Sequence, residues 1–284
     1  MRTLSSDPGQ NAAGTALLAS PWTRYPGLYL ALTRNSLARD MTFKANFIFW
    51  IFVELLWFAL QLAFNNVIYM QTDTIGTWTK WEVVLLIGTS HFIQQVFQAL
   101  FLVNCTNLAD LVHTGKFDFM LLLPVNTRFL LSCRQIDVTG FISAASGLAV
   151  VIFAAGKLGL SPTYAQIACY VGVCGVAVLI HYTLMFLMAS VSFWAVRAEG
   201  IMMAYYNLFS IARIPEGVFV GPSRLFFTLV IPMLLVSNVP VKVLLHEVFD
   251  ISSVLLMLLV CATALAISSV VWRRALGRYT SASS

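Results

Sequence analysis

Seven polar side chains interrupt two long apolar stretches in the first part of the chain. They are Glu54, Gln61 and Asn65 in the first stretch, and His91, Gln94, Gln95 and Gln98 in the second. Their spacing puts the members of each stretch on one face of a helix. Polar groups of this kind are costly against lipid and face other helices or a hydrated cavity. Two interpretations stay open: the residues join helices to each other, or they line a path through the membrane.

Glu54 is the costliest of these groups, and the glutamines of the second stretch are its expected partners. The chain has no G-x-x-x-x-G-K-[ST] loop for ATP, no G-x-S-x-G or H-E-x-x-H motif, and no paired cysteine motif. His91 and His181 lie in different apolar stretches, which argues against a haem site. We therefore expect no enzyme activity, metal or cofactor in this chain itself.

The elements that carry these residues are six apolar stretches, each approaching or exceeding the roughly 20 residues that a membrane-spanning helix needs. The mean hydropathy is +0.83 and only 10% of the residues are charged. This pattern predicts an all-α integral membrane protein with a six-span transmembrane domain over residues 45–272. The predicted spans are Ala45–Met70, Glu82–Cys105, Phe129–Gly156, Tyr164–Val196, Leu225–Leu245 and Ile251–Trp272.

The basic residues predict the orientation. Of 17 Lys and Arg, all except Lys80, Lys157 and Lys242 fall in the termini or in or beside the gaps after the second and fourth spans. The positive-inside rule then makes both termini cytoplasmic. Because this charge follows a membrane boundary and does not cover one folded face, we expect lipid contacts and no nucleic-acid partner.

The segments outside the spans have distinct characters. Residues 1–21 are polar and are predicted to form a disordered cytoplasmic tail, and residues 273–284 are predicted to form a cytoplasmic tail. Residues 22–44 alternate apolar and basic positions, which predicts an amphipathic connector helix at the interface. Residues 197–224 read as a cytoplasmic or interfacial segment with a short helix, so that the fifth span begins near Arg224. The competing interpretation is a fifth span that begins at Met202 and is broken within the membrane.

The gap at residues 107–128 is the most informative cytoplasmic segment. It opens as a short amphipathic helix, Gly115 suits a helix C-cap, and Pro124 prevents simple continuation into the third span. A loop that keeps so many apolar side chains in the cytosol needs a cover. Its mixed charges favour a docked protein over the membrane surface. The residues expected to make that contact are Asp110, Leu111, Lys116, Phe117, Asp118 and Phe119.

The segment Leu108–Asn126, LADLVHTGKFDFMLLLPVN, resembles the L-x-x-L-V-x-x-G-x-L-D-x-L-L-L-x-P signature of ABC-2-type permease subunits. Further matches follow in order along the chain, so that the resemblance covers roughly Tyr25 to Trp272. They are Asn46–Trp50, Gly76, Trp78, Trp81, Glu82, Gly88, Arg224, Ile231-Pro232 and Val239-Pro240. Two departures are Leu123, where many members carry a basic residue, and Ile214-Pro215, where many have Tyr-Pro.

The resemblance implies the membrane half of an ATP-driven exporter in a bacterial cytoplasmic (inner) membrane. Two permease chains, identical or related, would pair around a substrate path. A separate ATPase would bind ATP and Mg, and the loop 107–128 would couple it to the spans. The alternatives are an ion- or proton-coupled secondary transporter that uses Glu54 and His91, and a membrane anchor subunit that transports nothing.

Overall fold

The computed structural model describes residues 21–40, 44–194, 199–245 and 250–279 of the 284-residue chain. The fold is an all-α membrane bundle, as predicted. Almost the whole tail predicted at residues 1–21 lies outside the described residues. In chain order the elements are α1 (Pro21–Asp40), α2 (Lys44–Ile68), β1 (Thr74–Ile75), β2 (Trp78–Thr79), α3 (Lys80–Phe97), α4 (Val103–His113), α5 (Phe117–Leu121), α6 (Thr127–Cys133), α7 (Val138–Lys157), α8 (Tyr164–Ser190), α9 (Glu199–Ile211), α10 (Pro222–Leu225), α11 (Met233–Leu245) and α12 (Ile251–Arg278).

A π-helical turn, Gln98–Leu102, joins α3 to α4, so that the second span is one helix from Lys80 to His113. It runs beyond the predicted end at Cys105 and stops near Gly115, whose φ of 69° is available to glycine without strain. The last span also runs further than predicted, because α12 continues through residues 273–278 of the predicted tail.

Among the residues that the structure describes, five helices are long and apolar enough to cross a membrane. The fifth predicted span, Leu225–Leu245, is not one of them. Its two parts, Pro222–Val230 and Met233–Leu245, meet at 85°. Pro232 stands at the bend, where it has no N–H to continue the helix. In place of the continuous helix predicted here, the described residues form a bent helix pair, which is either a broken span, the sixth in number, or a re-entrant loop.

The third predicted span, Phe129–Gly156, is also divided, into α6 and α7. Asp137 caps α7 by accepting a hydrogen bond from the Thr139 N–H at 2.9 Å. The Asn104 amide donates to the carbonyls of Ser132 and Gln135 at 2.9 and 2.7 Å, and so satisfies backbone groups released at the break. At the same break, the Asp137 N–H donates a hydrogen bond to the Ala99 carbonyl in the π-helical turn at 2.9 Å.

The core of the bundle lies around α3, with 78% of its span buried. Glycines let α7 approach α3 closely: a Cβ added at Gly147 would lie 2.8 Å from the Phe92 nitrogen. The short helix α11 is almost entirely buried and packs against α8 and α3. By contrast, only 6% of the α2 span is buried. This first span is therefore the peripheral helix of the chain.

The long second span defines two ends of the bundle. We call the end with β1 and β2 the hairpin end, and the end with α1 and α5 the connector end. The helix α1 packs at the connector end, where Tyr25 contacts the Phe129 ring edge-on with centroids 4.7 Å apart. The Ser36 hydroxyl accepts a hydrogen bond from the Ile136 N–H at 3.2 Å. The connector helix is thus held by the corner between α6 and α7.

One basic residue lies at a different end from the one predicted. Arg224 pairs with Glu216 at 3.5 Å, and Glu216 also pairs with Lys242. The neighbouring Gly217 lies close to Gly76 of the hairpin. Arg224 and Lys242 therefore share the hairpin end, whereas the sequence analysis placed Arg224 on the same side as the basic residues of the connector end. The bent helix pair carries the chain to the hairpin end earlier than a continuous helix would.

Candidate functional site

The polar faces predicted on the first two spans meet each other. The Gln95 amide donates a hydrogen bond to the Glu54 carboxylate at 2.9 Å, which links α2 to α3. A third helix completes the site, because Gln98 donates to the Tyr206 hydroxyl of α9 at 3.1 Å. The π-helical turn begins at Gln98, a type of irregularity that is frequent at functional sites. The pairing of Glu54 with a glutamine of the second span is as expected from the sequence.

His91 has a packed environment. Its ring stacks on Phe58 of α2, with centroids 3.7 Å apart and planes 9° from parallel. Its Nε2 lies 3.5 Å from the Ser146 hydroxyl of α7. Only 3% of the residue is exposed. His91 therefore joins three helices while one edge of it borders the site.

Arg213 is a member of the site that the sequence reasoning missed. Its guanidinium donates a hydrogen bond to the Gln94 side chain at 2.6 Å and lies over the Phe209 ring at 5.4 Å. The sequence placed this residue at the cytoplasmic boundary. A signal was present: an arginine that directly follows an apolar helix and precedes Ile214-Pro215 suits a broken span.

The position of Arg213 follows from the end of α9. The carbonyl of Ala212 accepts hydrogen bonds from the Ser90 hydroxyl, at 3.2 Å, and from the Ser237 hydroxyl. Ser90 is the tenth residue after Lys80, about 15 Å along the helix. Half of a hydrocarbon core is also about 15 Å. The end of α9 thus lies beside the middle of α3, deeper in the bundle than a segment lying only at the interface would reach.

Two adjoining cavities run along the polar faces and share Glu54, Gln95, Gln98 and Tyr206. The first, which we call the outer cavity, has a volume of about 600 Å³ and also contacts Gln61, His91, Gln94 and Arg213. The second, the inner cavity, has a volume of about 460 Å³ and extends toward the connector end, where it contacts Asn46, Trp50, Asp137 and Ser143. Together they form a polar groove between α2 and the rest of the bundle.

Asn65 is the one predicted polar residue that lines neither cavity. It is 5% exposed, and its amide nitrogen has no hydrogen-bond partner among the described residues. The common helix face of Glu54, Gln61 and Asn65 therefore extends past the groove. Spacing alone does not show where the groove ends, because that depends on how far α3 and α9 accompany α2.

The predicted coupling loop divides into an inward and an outward face. Phe117 is fully buried, and its ring meets Phe193, Trp272 and Tyr279 edge-on with centroids 5.6, 6.1 and 5.2 Å apart. Leu111 is also buried, at 8% exposure. Both side chains are closed to a partner, which corrects the expectation that they fill a groove on another protein.

The outward face of the loop is an apolar patch. Phe119 and Leu122 are 72% and 80% exposed, and Leu121 and Leu123 are exposed beside them. We call these four residues the apolar patch. Asp110 and Lys116 are exposed nearby, whereas Asp118 is half-buried. Burial raises the pKa of the Tyr279 hydroxyl, and the nearby Asp118 carboxylate raises it further. Asp118 therefore faces the end of α12.

Arg128 connects this loop to the bundle. Its guanidinium donates hydrogen bonds to Tyr182 at 3.2 Å, to Ser269 at 2.9 Å and to Ser268 at 2.9 Å, and it lies over the Phe186 ring at 4.6 Å. These partners belong to α8 and α12. The planar fork of arginine suits such a set of simultaneous bonds. The loop is thus joined rigidly to two spans.

Charged side chains that face a cavity inside a multi-pass helical bundle are typical of a functional site in a membrane protein. The chain matches the family of ABC-2 family transporter proteins over residues 55–283, which is most of its length. It therefore belongs to this family and is a membrane permease component of an ABC transporter. No curated protein and no solved structure shows significant similarity to the chain.

Proposed function

We propose that this chain is the permease subunit of an ATP-driven exporter, and that the polar groove is its half of the substrate path. The observation that carries the proposal is the groove itself. Glu54, Gln98 and Arg213 are polar or charged, lie within the span region and face a cavity. Groups that only glue helices together would be enclosed by protein on all sides. Their exposure to a cavity supports a role in passage.

A second permease chain would close the groove. Only 6% of the α2 span is buried in the single chain, and large aromatic side chains such as Trp57 and Phe64 are 70% and 68% exposed along it. Lipid covers some of this surface. The side of α2 next to the groove would border a polar cavity, and an identical or related chain would enclose that cavity as a path.

The energy would come from a separate ATPase that docks on the apolar patch. Exposed anchors such as Phe119 and Leu122 suit a groove on a partner, with Lys116 and Asp110 at the rim. Phe117 and Arg128 hold the loop to α8 and α12. Nucleotide binding and release in the ATPase would displace the apolar patch. Because the loop is held rigidly to α8 and α12, this displacement would move whole spans.

The orientation of the chain in the membrane is inferred from its basic residues. Arg128, Arg134, Arg273, Arg274 and Arg278 gather at the connector end. We infer that this end is cytoplasmic by the positive-inside rule, in the inner membrane of a bacterium. Labelling from outside should then reach a cysteine placed at Thr74 or Pro162, and labelling from inside should reach one placed at Thr114.

Transport in proteoliposomes tests the function. The chain is purified with the ATPase that accompanies it and reconstituted, and uptake into inside-out vesicles is followed with ATP. The control is the same preparation with the lysine of the ATPase's phosphate-binding loop replaced, so that the ATPase is inactive. We expect uptake with ATP and active ATPase only. Uptake by the chain alone, driven by a proton gradient, would replace the proposal with the secondary-transporter alternative.

A further inference from the structure

Two lysines at the hairpin end lie beside one aromatic ring. The ammonium groups of Lys80 and Lys157 are 5.5 and 6.0 Å from the centroid of the Trp81 ring, and Lys157 is also 5.6 Å from that of Phe153. The two rings meet edge-on with centroids 5.8 Å apart. Lys80 begins α3 and Lys157 ends α7, and these two helices pack against each other. We call these four residues the lysine cluster.

The lysine cluster has no carboxylate to balance its charge. Among the residues that the structure describes, neither lysine forms an ion pair. The Lys80 ammonium donates a hydrogen bond to a neutral side chain, that of Asn66, at 2.5 Å. Glu82 lies two residues further along α3, but its carboxylate accepts from the N–H and the hydroxyl of Thr79 at 2.7 and 2.8 Å. Two positive charges therefore share one ring without an opposite charge from the described chain.

Three physical effects favour an anion at the lysine cluster. Two like charges beside the same ring repel each other, and an anion between them would replace this repulsion with attraction. Lys80 is the first residue of α3, where the helix dipole disfavours a cation and favours an anion. Lysines are also uncommon at the end of a membrane protein opposite its basic, cytoplasmic end. The two lysines stand at the ends of spans, so the anion within reach is the phosphate of a lipid headgroup.

The surface beside the cluster suits the apolar part of a lipid. Phe153 and Ala149 precede Lys157 by one and two helical turns, which puts all three on one face of α7. Phe153 is 56% exposed, Ile152 beside it is 65% exposed, and Ala149 is exposed as well. Tryptophan is typical of the level where headgroups meet the hydrocarbon. A phospholipid could therefore place its phosphate at the lysines and an acyl chain along α7.

We propose that the lysine cluster binds an anionic phospholipid, with Lys80 and Lys157 on its phosphate and an acyl chain along the exposed face of α7. Basic pockets between membrane helices bind anionic headgroups in this manner. Phosphatidylglycerol and phosphatidylcholine both carry the phosphate, but in phosphatidylcholine an attached ammonium group cancels its charge. The cluster should therefore prefer phosphatidylglycerol. This site lies apart from the polar groove and does not depend on the substrate or on the ATPase.

Fluorescence quenching of Trp81 tests this inference. The purified chain is placed in nanodiscs of phosphatidylcholine with a rising fraction of phosphatidylglycerol that carries a nitroxide near the glycerol end of one acyl chain. A parallel series uses phosphatidylcholine with the same nitroxide. The Trp81 signal is the difference between the wild-type chain and Trp81→Phe. We expect half-maximal quenching at a fraction of labelled phosphatidylglycerol about twentyfold below that of labelled phosphatidylcholine.

Glutamine variants locate the site. Lys80→Gln and Lys157→Gln remove one charge each, and glutamine at position 80 keeps a donor for Asn66. Each should reduce the preference for phosphatidylglycerol by about fivefold, and the double variant should abolish it. Lys116→Gln is the matched control, because it removes the same charge from an exposed lysine at the connector end. It should leave the preference unchanged. If the double variant is unstable, Lys157→Gln carries the test, since Lys157 is exposed.

The contrary results are equally specific. Equal quenching by the two lipids in the wild-type chain, or a preference that both single variants keep in full, would overturn the lipid site. Loss of the preference in Lys116→Gln would overturn it too, because overall charge would then explain the binding. Millimolar inorganic phosphate in the buffer separates a lipid from a free anion. The proposal requires that quenching persist, and complete relief of quenching would assign the cluster to a soluble phosphate instead.

Discussion

Replacing Phe117 with alanine tests whether the loop 107–128 is held by its inward face. Phe117 is fully buried and contacts three other aromatic rings, one from the turn after α8 and two from α12 and the residue that follows it. Truncating a buried phenylalanine generally costs about 3–5 kcal/mol, because transfer free energy is lost and a cavity is left. The edge-on ring pairs account for part of this loss, at about 0.5–1.5 kcal/mol each.

At roughly 2–4 °C per kcal/mol for a chain of this size, the melting temperature should fall by about 10 °C. It is measured by intrinsic fluorescence during heating of the purified protein. Phe119→Ala is the matched control, since this side chain is 72% exposed two residues away. It should leave the melting temperature unchanged and weaken ATPase binding by tenfold or more, as loss of an interface anchor commonly does.

The opposite result would refute this reasoning. If Phe117→Ala kept the wild-type melting temperature and lost the ATPase, the ring would contact the partner directly. The loop would then lie differently from the arrangement described above. In that case the simpler expectation from the sequence, with Phe117 as an interface anchor, would be correct.

Three further substitutions probe the packing that positions the groove, each measured by denaturant titration of the purified protein. Gly140→Ala should destabilise it by about 1–3 kcal/mol, because an added Cβ would lie 2.9 Å from the Ala99 Cβ. Gly175→Ala is the control, because Gly175 has open space around it, and it should not destabilise the protein. Equal effects of the two substitutions would contradict the close packing. Asn104→Ala should lower the free energy of unfolding by about 2 kcal/mol or more, since it removes the hydrogen bonds across the break between α6 and α7. An unchanged stability would mean that water replaces these bonds. Arg128→Lys should cost about 1–2 kcal/mol although the charge is kept, because lysine cannot bond three partners at once; wild-type stability would show that charge alone suffices.

The sequence predicted the parts of the fold that depend on composition and local pattern. The long apolar runs predicted the first and fourth spans well, since hydropathy over about 20 residues is a local property. The shared helix faces of Glu54 and Gln95 predicted their contact. These inferences needed only helix geometry and the cost of exposing polar groups to lipid.

The breaks in the spans were harder to predict. Hydropathy continues through Ile231-Pro232 and through the corner at Asp137, so both regions read as continuous spans. The first bend occurs at Pro232, and at the second a partner distant in sequence satisfies the freed backbone groups. Asn104 is such a partner for the second break, and no local pattern links it to Ser132 or Gln135.

The sequence predicted the site only in part, because contacts between residues distant in sequence also decide which side chains enter it. Arg213 was missed because the positive-inside rule counts arginines without knowing where a helix reaches half depth. The inward position of Phe117 was missed because Phe117 and Phe119 are chemically equivalent. Only the packing of the loop against Phe193 and Trp272 distinguishes them.

The most direct test of the account asks what the apolar patch contacts in the cell. A photo-crosslinking amino acid, benzoylphenylalanine, is placed at Phe119, and in a second sample at Tyr164, which is 94% exposed at the hairpin end. After irradiation of whole cells, the captured polypeptides are identified by mass spectrometry. We predict that the position of Phe119 captures a P-loop ATPase and that the position of Tyr164 does not. Capture of the ATPase from Tyr164, or from neither position in cells that express the chain, would contradict the account.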